Sequence, residues 1–77
     1  MNKEKAYNIF LEYVSKHFFK SAKVLSLREN ENLYLFEFCN DKDVQPIDYP
    51  IVSINKNSGS VEELYFTNEK QRKIIYS

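Results

Sequence analysis

Apolar positions over residues 3–19 follow a helical period. Ala6, Ile9, Phe10, Tyr13, Val14, His17 and Phe18 recur at three- and four-residue steps, while Lys3, Glu4, Asn8, Glu12, Ser15 and Lys16 fill the opposite side. The spacing predicts an amphipathic helix with one stripe turned to a core, and Asn2 stands where an N-cap belongs. Beyond it the period shortens to two. Ala22–Arg28 reads as a strand, Glu29–Asn32 as a polar turn and Leu33–Cys39 as a second strand. Alternation there puts Tyr34, Phe36 and Phe38 on one face, and Leu33, Leu35, Glu37 and Cys39 on the other.

The segment Asn40 to Tyr49, with Asp41, Asp43, Pro46 and Asp48, reads as the longest loop, and loops of that length often carry function. Pro50 precedes a third strand, Ile51–Asn55, at a position that costs no ladder hydrogen bond. Asn57, Ser58 and Gly59, the chain's only glycine, form the turn into a fourth strand, Ser60–Thr67. Val52 and Ile54 share a face, as do Leu64 and Phe66, with Glu62 on that side and Glu63 opposite. Asn68 to Ser77 has a cap and two apolar contacts, Ile74 and Ile75, for a short C-terminal helix that needs docking to persist.

These elements predict a single α+β domain over residues 1–77: an N-terminal amphipathic helix on one face of a four-stranded antiparallel sheet, followed by the short C-terminal helix where that helix forms. The second strand is apolar on both faces, and a one-residue register change swaps them. The pattern therefore leaves open which face the long helix covers. The other face needs a cover, from the C-terminal helix or from a partner.

Seventy-seven residues lie near the lower limit for a core without staples, and six Phe and six Tyr supply large buried area. Formal net charge is zero, but the signs are segregated. Residues 1–28 carry six basic and two acidic side chains (+4), residues 29–69 two basic and nine acidic (−7), and residues 70–77 three basic (+3). An acidic middle block disfavours nucleic acid; it reads first as the solvated surface of the outer strands and loops, and alternatively as a surface for a basic protein partner. Cys39 stands alone, which excludes an internal disulfide and gives no metal-ligand spacing. No apolar run reaches membrane-spanning length or forms a signal peptide, so the expected location is cytoplasmic, with no membrane role.

No catalytic set assembles on paper, and the expectation is a non-enzyme with no cofactor and no metal. His17, the only histidine, has no Ser, Cys or paired acid beside it and reads as a hydrogen-bonded packing residue on the apolar stripe. Counted from Asp41, the positions where a calcium loop needs Gly and Glu hold Pro46 and Val52. Glu62 and Glu63 point to opposite strand faces and cannot flank one bond. Tyr34, Phe36 and Phe38 have the spacing of a base-stacking platform, but Glu31, Glu37 and Asp41 flank them, which favours packing.

The helix, the aromatic strand Leu33–Phe38, the acidic loop and the segment Tyr49-Pro50-Ile51-Val52-Ser53-Ile54-Asn55-Lys56-Asn57-Ser58-Gly59-Ser60-Val61 together resemble the immunity protein 35 family, small bacterial domains of toxin–immunity systems. Tyr34 stands where that family's aromatic strand often carries Trp, and Asn55 where it carries Asp before the Lys. The resemblance implies an antidote that binds one toxin and blocks its active site or substrate entry. It hands over no binding residues. From the residues themselves the expected partner surface is Asp41, Asp43, Asp48, Tyr49, Glu62 and Glu63, facing a basic toxin domain. The alternative is a small interaction or regulatory domain, homodimeric or chaperone-like, that uses an uncovered sheet face.

Overall fold

The computed structural model describes residues 1–45 and 48–77, so Pro46 of the long loop lies outside the described residues. The elements run α1 (Lys3–His17), β1 (Ala22–Glu29), β2 (Leu33–Asn40), β3 (Ile51–Asn55), β4 (Val61–Leu64) and α2 (Glu69–Ile75). The strands form one antiparallel meander in the order β1-β2-β3-β4.

Helix α1 starts as its sequence dictates. The Asn2 side chain accepts the Lys5 amide proton at 2.9 Å, Glu4 lies in the first turn, and Lys16 and His17 lie in the last. It buries Ala6, Phe10 and Val14, one residue per turn, against the Tyr34, Phe36 and Phe38 face of β2 and against Val52 and Ile54 of β3. The Phe10 ring stacks on Phe36 at 4.4 Å between centroids and meets Phe38 edge-on at 5.4 Å. Tyr34, Phe36 and Phe38 are therefore core rather than an exposed base-stacking platform. The helix ends two residues before the expected Phe19. The amides of Phe18 and Phe19 both donate to the Val14 carbonyl, and their rings turn back onto Phe38 and Tyr49 at 5.3–6.2 Å. His17 is also placed differently from the expectation. It is exposed, with its ring 4.3 Å from that of Tyr13.

Strand β1 shows why simple alternation was insufficient. A bulge at Leu25 shifts the register between Val24 and Ser26, so Val24 pairs with Phe38 and Leu27 with Phe36. Both then pack against the α1-side core although they are three residues apart. Leu25 itself is turned out to solvent. This bulge, with Lys23 and Arg28 on the same strand, blunts an eight-residue sheet edge.

Part of the opposite sheet face, at its β3–β4 end, is covered by α2, while Leu25, Glu37 and Glu62 stay exposed. Ile75 is fully buried against Leu35, Ile51 and Leu64, with Leu33 at the rim. Strand β4 ends at Leu64, three residues short of the expected Thr67. The Tyr65 amide leaves the ladder and donates to Gln71 Oε1 at 2.8 Å, the Asn68 amide donates to the Tyr65 carbonyl, and Asn68 Oδ1 caps α2 by accepting from the Gln71 amide. Phe66 consequently does not continue the Leu64 face and remains exposed.

The β3–β4 turn is built by one side chain. Asn55 Oδ1 accepts from the Asn57 and Ser58 amides at 2.8 and 3.0 Å, its carbonyl accepts from Gly59, and Gly59 takes φ +74°. Next to it, the Lys56 ammonium reaches Glu29 at 2.7 Å and the Asn30 carbonyl at 2.6 Å, and lies 4.9 Å from the Tyr34 ring centroid. Lys56 also holds the Glu29 carboxyl below the usual range, so part of the acidic block is paired within the fold.

Candidate functional site

The loop from Asn40 to Tyr49 is anchored by its middle aspartate. Asp43 Oδ2 accepts the Asn40 amide proton at 2.9 Å and the Tyr49 hydroxyl proton at 3.1 Å. The Tyr49 ring stacks on Phe38 at 5.3 Å and meets Phe19 edge-on. Desolvation, with the Asp43 carboxylate behind it, pushes the Tyr49 hydroxyl pKa up. Asp43 and Tyr49 thus hold the loop to the core, and both are half-buried. Asp41 and Asp48 are exposed, and the Asp41 amide donates to the Ser21 carbonyl at the β1 end of the sheet.

Asp48 lines a cleft of about 180 Å³ with Tyr49, Pro50, Tyr65, Phe66 and Thr67. The early end of β4 creates this cleft, because Tyr65 and Phe66 swing out beside the β2–β3 loop. Both rings make contacts. The Tyr65 hydroxyl donates to Glu63 Oε1 at 2.6 Å. Phe66 packs against Tyr76 at 6.1 Å, and its carbonyl accepts from Arg72.

Glu63 joins three elements. It pairs opposite Val52, which puts it on the α1 side of the sheet, where its carboxylate accepts from the hydroxyls of Tyr13 and Tyr65. Those two bonds, Tyr13 first, hold its carboxyl below the usual range, with the nearby His17 adding to the effect. The same contact pushes Tyr13 up to about 12. Glu62 faces the other way and is exposed, while its carbonyl accepts from Ser53 Oγ at 3.1 Å.

Of the six residues expected at a partner surface, the fold brings Asp48 and Tyr49 into one cleft and ties Glu63 to its wall through Tyr65. Asp43 stands behind as a support, and Asp41 and Glu62 lie apart from the cleft. Sequence reasoning missed Tyr65 and Phe66, which alternation assigned to a strand. The signal against that assignment is Asn68-Glu69-Lys70-Gln71, a capping spacing that starts a helix and needs a turn before it.

Chemically, the arrangement offers aromatic side chains and one exposed carboxylate. Among the described residues, no group of three or more His, Cys, Asp or Glu is placed to hold a metal ion, and no helix is long and apolar enough to cross a membrane. Cys39 is a half-buried free thiol. No family model matches the chain, and no curated protein or solved structure shows significant similarity to it.

Proposed function

We propose that this chain is a non-catalytic protein-binding domain of the immunity type, which neutralises a bacterial toxin by direct contact. The observation that carries the reading is the cleft at Asp48, Tyr49, Tyr65 and Phe66. Aromatic side chains held by hydrogen bonds and packing lose little entropy on binding, and aromatic residues dominate the energetics of protein interfaces. The exposed Asp48 carboxylate in the cleft lining suits a basic partner. The turn geometry supports the family resemblance. Asn55 accepts two turn amides with its side-chain oxygen, a task that an Asp carboxylate performs equally, so the Asn-for-Asp difference leaves the hairpin intact.

The test is co-expression. The chain, tagged, is isolated from its native host, and the partner that elutes in stoichiometric amount is expressed alone and together with it. The expected result is growth arrest by the partner and relief by this chain. An eluate without a stoichiometric partner, or arrest that the chain does not relieve, refutes the reading.

A further inference from the structure

Resting on the binding reading, we propose that the cleft between Asp48 and the Tyr65–Phe66 pair seats one cationic side chain, lysine or arginine, of the protein partner. Its size sets the class of occupant. At about 180 Å³ it falls below the roughly 300–1,000 Å³ of small-molecule sites, and it has room for a single side chain. Its lining sets the charge. Aromatic faces attract a cation electrostatically, and a carboxylate beside them completes a cation site.

The Asp48 carboxylate is exposed and has no hydrogen-bond or ion-pair partner among the described residues, and no lysine or arginine among them lines the cleft. Arg72, which contacts the cleft residue Phe66, donates to its backbone carbonyl at 3.3 Å. A second depression among the described residues, at Tyr13 and His17, already holds its own cation, because Lys16 lines it and pairs with Glu12 at 3.0 Å. Preorganisation completes the argument. Tyr65 is held by Glu63 and Tyr49 by Asp43 and Phe38, while Phe66 lies against the exposed Tyr76 ring, so two of the three rings are held before a ligand arrives.

The experiment is an amide-resolved NMR titration of the full chain with Nα-acetyl-arginine methylamide, its lysine counterpart and Nα-acetyl-leucine methylamide. The cationic probes are expected to shift the amides of Asp48, Tyr49 and Tyr65–Thr67 saturably, with Kd on the order of millimolar. Asp48→Asn is expected to weaken that binding roughly three- to fivefold, and Asp41→Asn to leave it unchanged. A leucine probe that binds the same amides as tightly, or cationic probes that give no saturable shift, overturns the proposal. The partner assay separates this inference from the reading beneath it. If Asp48→Asn captures the partner as tightly as the parent chain, the cleft assignment falls and the binding function stands. If the parent captures no partner while the cationic probes saturate, the binding function falls and the cation cleft stands.

Discussion

Two neighbouring isoleucines give the sharpest check on how the far sheet face is covered. Ile75 is 0 % exposed and Ile74 is 38 % exposed, although both occupy the last turn of the same seven-residue helix. Ile75→Ala removes side-chain carbons packed on Leu35, Ile51 and Leu64 and leaves a cavity there. Core truncations of this kind cost about 2–5 kcal/mol. Alanine's better helix propensity returns roughly half a kcal/mol, so a net loss of about 2–4 kcal/mol is expected. A domain of this length has about 4–12 kcal/mol in total. The change therefore removes a large fraction of stability and lowers Tm by about 8–32 °C. Ile74→Ala, with the same propensity gain and little burial to lose, is expected to change stability by less than about 1 kcal/mol. The chain has no Trp, so urea unfolding is followed by far-UV circular dichroism and tyrosine fluorescence. The slope with denaturant stays constant if the native fold is kept. Equal losses at the two positions, or a loss below about 1 kcal/mol at Ile75, refute the placement of α2 on the second face.

Three further outcomes follow from the same geometry. Gly59→Ala forces a Cβ into a backbone with φ +74°, 3.4 Å from the Met1 Cε, and is expected to cost about 1–2 kcal/mol in the same unfolding assay. Glu63 has a depressed carboxyl in the folded state, so its contribution is present above the unfolded value near 4.3 and is lost as pH falls through the lower folded value. Glu63→Gln should flatten the acid limb of the stability profile. In the parent chain Tyr13, raised to about 12, contributes stability below pH 10 that is lost as pH rises through about 12, which tyrosinate absorbance would detect as a late-titrating hydroxyl. Asp43→Ala removes the acceptor for the Asn40 amide and the Tyr49 hydroxyl and is expected to cost about 1–3 kcal/mol, whereas Asp41→Ala should stay within about 0.5 kcal/mol, both read by thermal unfolding.

Much of the architecture was legible because local periodicity and caps are short-range. The helical stripe of Ala6, Phe10 and Val14, the alternation of Tyr34, Phe36 and Phe38, the Asn2 and Asn68 caps and the Gly59 turn all rest on interactions within a few residues. The candidate surface was less legible. Asp43 and Asp48 look alike in a string of residues, yet one holds a loop to the core and the other lines a cleft. The Asn40 amide bond that marks Asp43 is local, but its Tyr49 bond and the Tyr65–Phe66 wall beside Asp48 appear only once the loop and β4 are placed.

The sequence by itself determined the element order, the fold class and the position of the hairpin, because backbone preference and amphipathic spacing suffice for those. Only the tertiary structure decided that α1 packs on the Tyr34–Phe38 face and that Ile75 rather than Ile74 closes the other. It also moved Leu25 out of the ladder and joined Tyr13 to Glu63 across fifty residues. Such choices depend on which of two apolar faces finds the larger complementary surface. That comparison exists only after the strands have paired.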